Sequence, residues 1–339
     1  MGVLPLHVLS IYVCRLPQAK LRMRSPHGRK ITCSAVQISL KEALDNVDSE
    51  LLKGNEKSAL EIVRALQGKA GGFRCFGEAR QVPQRLYTLD ELKLNGIETA
   101  SLLSPVDSTL GSIERNAQLS LLIGCLAAWN FLDLTTQQMF FLSLGVLFAW
   151  TFDLVAFNGG AGFLVLDAIG HSLSSKYRNR VIQHEAGHFL VAYLVGILPK
   201  GYTLTSLEAM RKEGLLNVQA GSAFVDFEFQ EEMATGRVSQ STLNKLSCVA
   251  LAGVATEYLL YGCSEGGVAD VTKLDVLLKG LGFTQKKADS QVRWSLLNTV
   301  AVLRRHESAR AKLAEAMASR SSVGFCIGVI EGTANLDDI

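Results

Sequence analysis

The sequence predicts a mainly α-helical protein with a small antiparallel β element. Apolar residues recur at helical spacing over most of the chain between positions 39 and 320. Only two short segments, 201–205 and 223–229, alternate apolar and polar residues as strands do, and a longer loop joins them. The length of 339 residues allows two globular parts, or one globular part and a membrane segment.

The overall composition favours a membrane-associated protein of a reducing compartment. Apolar residues make up 48% of the chain, which is high for a soluble protein, whereas the net charge of +2 excludes nucleic acid as an expected partner. The cysteines number seven and are scattered, with no C-x-x-C spacing. This pattern argues against a disulfide framework and against a cysteine zinc site.

The N-terminal segment 1–34 has the composition of an organelle transit peptide. The first forty residues contain no Asp or Glu but carry six basic residues interspersed with serine and small residues. The junction at Ile31–Ser34 resembles plastid processing sites. We therefore expect a chloroplast membrane location, thylakoid or inner envelope, with the mitochondrion as second choice. A disordered basic tail is the competing interpretation.

Residues 35–116 are predicted to form a small helical N-terminal region. Two amphipathic helices between positions 39 and 67 are separated at Gly54-Asn55, and a glycine-rich basic loop follows over 68–84. Thr88 and Glu91 have the spacing of a capping box that opens another short helix. No residue of this region points to chemistry, so we expect a docking module or a spacer.

Two apolar runs predict a membrane helical hairpin over residues 117–157. Leu119–Leu132 and Met139–Phe157 flank a polar break at 135–138, and the second run carries one charge, Asp153, near its end. A helix needs about 20 residues to cross a bilayer, so the number of crossings, one or two, stays open. The alternative is a buried hairpin of a soluble protein. A glycine-rich stretch at 158–162 predicts a flexible hinge after the second run.

The rest of the chain is predicted to be helical apart from the strand pair. Ser172–Ser175 offers N-cap residues for an apolar helix centred on positions 181–195. Beyond the strands, a long apolar helix over 243–261 ends at Gly262. Three amphipathic helices follow over 270–281, 285–305 and 307–320, and residues 321–339 are assigned to a C-terminal tail.

The strongest chemical signal lies inside the apolar helix at 184–188, with the sequence H-E-A-G-H. Positions four apart lie on one face of a helix, so His184 and His188 can reach the same ion. Glu185 is placed to act as general base for a water on that ion, as in zinc peptidases of the H-E-x-x-H type. Zn²⁺ lowers the pKa of such a water to about 7. The alternative is an accidental pair of core histidines.

A catalytic zinc ion needs a third protein ligand. Val191 and Leu194 occupy the two positions where a metzincin has glycine and histidine, so that class is excluded. The candidates are acidic residues that follow the motif, namely Glu208, Glu213, Glu257 and Asp270. The residues alone favour Glu257 and Asp270 equally, since a glycine loop ending in Asp is also a common N-cap.

Three segments in the same order resemble the FtsH-type zinc metalloprotease domain over residues 172–320. They are H-E-A-G-H at 184–188, the Leu251–Gly262 helix, and the glycine-rich loop that ends in Asp270. The resemblance implies zinc on His184, His188 and Asp270, with Glu185 as base. It also places Glu257 on the first glutamate of an acidic pair, which implies support of a ligand rather than ligation.

The chain departs from that family in ways that bear on function. Val268 and Ala269 replace a polar pair before the aspartate, and Tyr258 replaces the second glutamate. No G-x-x-x-x-G-K-[S/T] phosphate loop occurs, so the ATPase module is absent. The chain is similar to plant plastid FtsH-like proteins that lack this module.

The resemblance implies a membrane-anchored, ATP-independent zinc endopeptidase that acts on protein or peptide substrates. An FtsH-type ATP-driven protease complex is a further candidate partner. The alternative is a non-catalytic, protease-like scaffold that binds such a complex or other membrane complexes. An intramembrane protease is disfavoured, because no Asn-Pro-Asp-Gly-like second motif occurs in the chain.

Overall fold

The structure is a computed structural model that describes residues 39–69 and 71–334. The predicted transit peptide therefore lies outside the described residues. The described chain is mainly α-helical, with one antiparallel sheet of two strands. The helices before the sheet are α1 (Leu40–Leu52), α2 (Glu56–Leu66), α3 (Leu89–Leu94), α4 (Thr99–Leu103), α5 (Ser108–Phe131), α6 (Thr136–Phe157), α7 (Gly160–Leu173) and α8 (Ser175–Val195).

The second half of the described chain contains the sheet and eight further helices. Its elements are β1 (Pro199–Thr203), α9 (Ser206–Glu213), β2 (Gly221–Phe224), α10 (Phe227–Ala234), α11 (Gln240–Ala250), α12 (Ala252–Tyr261), α13 (Val268–Gly280), α14 (Gln285–Arg305), α15 (Glu307–Ala318) and α16 (Val323–Thr333).

Helix α8 is the central element of the core. It begins at the N-cap Ser174, as the sequence predicts, and ends at Gly196, which adopts a left-handed conformation with φ of 84°. Every residue from His184 to Val195 is buried, and α12, α15, α11 and α14 pack around the helix. The buried stretch includes two imidazoles and a carboxylate, which are costly to bury without partners.

The N-terminal helices belong to the same hydrophobic core. Val47, Val63, Phe73 and Leu102 are fully buried and cluster with the apolar residues of α8. The loop after α2 joins the end of α8 directly, since the backbone N–H of Gly77 donates to the carbonyl of Tyr193. The predicted helical N-terminal region therefore packs into the core around α8, and its role as a docking module or a spacer stays a prediction.

The predicted C-terminal tail contains a packed helix. α16 lies against α15 and α1, and its Glu331 is buried. The Glu331 carboxylate accepts hydrogen bonds from the backbone N–H groups of Arg74 and Cys75 and from the Tyr193 hydroxyl. Because α16 is short and apolar, the amphipathic spacing that identified the other helices is absent from its sequence.

The second strand is shorter than its alternating pattern predicts. β2 ends at Phe224, and the remainder of the predicted strand 223–229 opens helix α10. Phe229 and Met233, four residues apart, both contact the core, and this helical spacing prevails over the alternation. The predicted helix 243–261 is likewise divided at Leu251 into α11 and α12.

Helices α5 and α6 carry the two apolar runs and expose them. α6 alone in the described residues has the length and composition to cross a membrane, and none of its apolar window is buried. The predicted hinge after it is a short link, because α7 begins at Gly160. The Asp153 carboxylate accepts hydrogen bonds from the first N–H groups of α7, at Ala161 and Gly162. Asp153 thereby caps the next helix.

Candidate metal centre

His184 and His188 lie one turn apart on α8 and face the same point. Their Nε2 atoms are 3.1 Å apart, and both side chains are buried. The opposite nitrogen of each ring is held by the protein. His184 Nδ1 lies 2.7 Å from Oε1 of Glu257, and His188 Nδ1 lies 2.8 Å from the carbonyl oxygen of Val249. The division between α11 and α12 lies directly after Val249 and Ala250.

Asp270 completes a group of three at the start of α13. Its Oδ2 atom lies 3.2 Å from Nε2 of His184 and 3.3 Å from Nε2 of His188. The structure thus brings together the three residues that the resemblance to the FtsH-type domain implies as zinc ligands. Within the described chain, these three form the one group of at least three His, Cys, Asp or Glu side chains placed to hold a metal ion.

Hydrogen-bond accounting shows that the group needs either a shared proton or a metal ion. A carbonyl oxygen only accepts, so His188 Nδ1 carries a proton and donates it to Val249. His184 Nδ1 donates to the Glu257 carboxylate in the same way. Each neutral imidazole then presents a lone pair at Nε2, and both lone pairs face one carboxylate oxygen. Three acceptors this close repel one another unless a proton or metal ion lies among them.

The size of the triangle fits zinc. A tetrahedral ion with bonds of about 2.0–2.1 Å holds its ligand atoms about 3.3 Å apart. The three edges in this structure are 3.1, 3.2 and 3.3 Å. Two neutral imidazoles and one carboxylate are also a usual donor set for catalytic zinc, which leaves a fourth position open.

The pKa values show the same demand for positive charge. Burial lowers the pKa of His184, but hydrogen bonds to Asp270 and Glu257 outweigh it and hold that pKa well above its ordinary value. Burial raises the pKa of Asp270, but the charge of His188 and the hydrogen bonds from both imidazoles hold it well below the usual range. The group therefore retains a proton when no metal competes for it.

Glu257 supports His184 from the side away from the triangle. Burial raises the pKa of Glu257, but the hydrogen bond and charge of His184 outweigh this and lower that pKa to about 2. Its Oε2 also accepts from Arg180 at 3.0 Å and from the backbone N–H of Glu265 at 2.7 Å. Glu257 contacts Nδ1 rather than Nε2, so this geometry favours Asp270 as the third ligand.

Glycines make room for the His184 ring. A Cβ atom at Gly253 of α12 would overlap the imidazole, and one at Gly267 would lie 3.0 Å from its Cε1 atom. Gly267 also has a φ of 86°, which side chains rarely adopt. A Cβ at Gly266 would lie 2.7 Å from Glu257 Oε1. The ligand is thereby packed against backbone on two sides.

Glu185 borders a cavity of about 530 Å³ that contains the triangle. It is buried, and its Oε2 accepts a hydrogen bond of 2.8 Å from the hydroxyl of Ser222 on β2. The cavity extends from the three ligands along β2 and past α11 to the end of α8 at Gly196. The carboxylate that the sequence assigns as general base therefore faces a space in which a substrate can lie.

The other two acidic candidates do not join the triangle. Glu208 accepts from the backbone N–H of Leu204 and pairs with Arg320. Glu213 lines the cavity, and burial raises its pKa. The sequence analysis missed Arg180, Ser222 and the carbonyl of Val249. Arg180 lies four residues before His184 on α8, so helical spacing could have identified it, whereas the other two depend on chain folding.

Comparison with known proteins adds no relative to this picture. No protein-family model, curated protein or solved structure matches the chain.

Proposed function

We propose that the protein is a membrane-anchored zinc endopeptidase that works without ATP hydrolysis. The observation that carries the proposal is the triangle of His184, His188 and Asp270, whose converging acceptors need a cation and match the spacing of zinc ligands. The resemblance to the FtsH-type metalloprotease domain, restricted to residues 172–320, supports the same assignment. A scaffold gains nothing from a carboxylate base beside such a group.

Zinc at this position would supply a Lewis acid that polarises a peptide carbonyl and acidifies a water. Glu185 takes the proton of the attacking water and later passes it to the leaving amine. Ser222 donates to Oε2 of Glu185, which fixes the carboxylate while its other oxygen stays available. Burial around the carboxylate limits access of other water molecules.

The cavity favours an extended, largely apolar peptide. Strand β2 pairs with β1 along one side only in the described chain, and its residues Gly221, Ser222 and Phe224 line the cavity. A peptide can add to such an edge through backbone hydrogen bonds. The sequence contains no phosphate loop, so substrates must reach the site already unfolded.

Replacing Glu185 tests the proposal most directly. We expect Glu185→Gln to retain zinc and to cut casein at least about 100-fold more slowly, because the variant cannot accept a proton. Glu213→Gln is the matched control, since Glu213 lines the same cavity outside the triangle. The measurements are bound zinc by elemental analysis and the initial rate of peptide release.

Zinc binding without cleavage in the unchanged chain would favour the scaffold instead. The replacement of the polar pair by Val268 and Ala269 is the feature that supports this second candidate. Absence of bound zinc from the unchanged chain would contradict the peptidase outright.

We further propose that α5 and α6 enter the membrane together. The exposed apolar surface of α6 supports an anchor. Helices α1–α4 and α8 share one core, although α5 and α6, here called the apolar pair, separate them in sequence. Both flanks of the pair must therefore lie on the same side of a bilayer, which requires a return crossing.

The composition of residues 1–34 supports a plastid address, and import into isolated chloroplasts would test it.

A further inference from the structure

Glu265 is a buried carboxylate on the glycine loop before Asp270, and it takes no part in the chemistry described above. Its Oε1 accepts a hydrogen bond of 2.9 Å from the hydroxyl of Ser108, and its Oε2 accepts one of 3.1 Å from the backbone N–H of Thr109. Ser108 and Thr109 are the first two residues of α5. The carboxylate thus lies at the N-terminus of α5, the first helix of the apolar pair.

The same carboxylate is joined to the metal centre through buried side chains. Glu265 Oε1 lies 3.3 Å from Nη2 of Arg180, and Nη1 of Arg180 donates to Glu257 at 3.0 Å. Glu257 in turn accepts from His184 at 2.7 Å. Arg180, Glu257 and Glu265 are each at most 5% exposed, so water does not screen these contacts. A continuous polar chain therefore runs from the base of α5 to a ligand of the triangle.

A second connection holds the loop from the residues just before α5. The backbone N–H of Val106 donates to the carbonyl of Ser264 at 3.3 Å, and the Ser264 hydroxyl donates to the carbonyl of Leu102 at 2.7 Å. The segment 102–109 thus fixes the loop that precedes α13, and Asp270 lies in the first turn of that helix. Displacement of the base of α5 would move the loop and loosen both Glu257 and Asp270.

We propose that Glu265 is a positioning residue that couples the base of the α5–α6 pair to the metal centre. The site is then complete only when α5 is seated against the loop. The inference rests on the proposed zinc site. Coupling between two sites is reciprocal, so zinc also stabilises the start of α5. Movement of α5 away from the loop would therefore release the zinc ion. Only molecules in which α5 contacts the loop then have a complete active site.

The test measures zinc affinity of the full-length protein by competition with a chelator. We expect Glu265→Gln to weaken zinc binding about 3–30-fold, because its carboxylate acts on His184 only through Arg180 and Glu257. Ser108→Ala removes one hydrogen bond to the Glu265 carboxylate and should weaken zinc binding about three- to tenfold. Ser112→Ala is the matched control, because its hydroxyl donates to the carbonyl of Ser108 and not to Glu265.

Hydrogen exchange supplies a readout that a purely local role of Glu265 would not change. Addition of zinc should slow amide exchange at Thr109 and Leu110 in the unchanged protein, and this slowing should disappear in Ser108→Ala. Thermal unfolding checks that every variant is folded. If the unchanged protein binds no zinc, the proposed function fails too. If it binds zinc and all three variants bind within about twofold of it, the coupling alone is wrong.

Discussion

Backbone atoms lie close to the His184 ring on two sides. Gly253 and Gly267 face it with backbone only, while Glu257 and Asp270 engage its two nitrogens. Because folding has already ordered the His184 ring, the side chain loses little conformational entropy when it binds an ion. The glycines are therefore as necessary to the site as the ligands.

We expect Gly253→Ala to weaken zinc binding at least about 100-fold, because its methyl group overlaps the imidazole and displaces Nε2 from the triangle. Gly280→Ala is the control, since Gly280 ends α13 with no heavy atom near its Cβ position. Isothermal titration with zinc compares the two. Equal affinities would show that the His184 ring can move without loss of the site.

Much of the site was predictable at the scale of residues because its signals are local. His184, Glu185 and His188 share one helix, so their spacing carries the geometry. The position of Asp270 depends on how α13 packs relative to α8. The sequence pattern alone did not decide between Asp270 and Glu257 as the third ligand. Contacts such as Val249 with His188 arise from the break at Leu251, for which helical periodicity gives no signal.

At the scale of elements, one buried carboxylate joins three helices. Asp167 of α7 accepts from the hydroxyl of Tyr177 on α8 and from the backbone N–H of Ser206 on α9, each at 2.8 Å. His171, one turn along α7, lies 3.2 Å from the same carboxylate. These contacts fix the helix that leaves the apolar pair against the helix that carries the metal ligands.

The pair of His171 and Asp167 predicts a pH-dependent stability. Burial lowers the pKa of His171, but the hydrogen bond and charge of Asp167 outweigh it and raise that pKa above 6.5. Burial raises the pKa of Asp167, but the contacts with His171 and Ser206 lower it below 3.8. The stabilisation by protonated His171 is complete below pH 6.5 and is lost as the pH rises through the raised pKa of His171. The stabilisation by ionised Asp167 is lost in acid, as the pH falls through the lowered pKa of Asp167.

Urea unfolding of the unchanged protein and of His171→Gln measures this effect. Near pH 5.5 the unchanged protein should be more stable by about 1–3 kcal/mol, and the difference should shrink as pH rises toward about 8. Taking the difference between the two proteins cancels titrations that they share. A constant difference across this range would mean that His171 stays neutral when folded.

Strand and helix lengths were harder to predict than their presence. The alternation at 223–229 is too short to distinguish a strand from the first turn of α10, and packing of Phe229 and Met233 decides the outcome. The polar residues of α16 lie at its C-terminal end, so its sequence shows no helical period. Capping signals were more reliable, since Ser174 and Thr88 begin helices where the sequence places them.

At the scale of the whole molecule, the apolar pair interrupts a single core. The helical spacing of apolar residues was sufficient to predict a mainly helical chain, and the two apolar runs were sufficient to locate α5 and α6. They gave no sign that residues 40–103 pack on α8, because packing partners distant in sequence leave no periodic signal. The shared core is what restricts the topology of the chain in a bilayer.

Thiol labelling of sealed vesicles tests this topology. Variants that retain a single exposed cysteine at Lys53→Cys, at Cys263 or at Gln137→Cys are treated with a membrane-impermeant maleimide. Lys53 and Cys263 lie on opposite flanks of the pair, and Gln137 lies near the turn between α5 and α6. We expect the two flanking positions to react from one side and Gln137→Cys from the other. Labelling of the flanks from opposite sides would contradict the return crossing.

The contact between the first and last helices of the described chain also has a consequence for synthesis. The backbone N–H of Gly324 in α16 donates to the carboxylate of Asp48 in α1, across 276 positions of sequence. Helix α1 can pack early against α2, but its contact with α16 forms only after most of the described chain has been synthesised. We infer that the nascent polypeptide needs protection against aggregation throughout this interval, and that premature termination leaves the side of α1 that faces α16 uncovered.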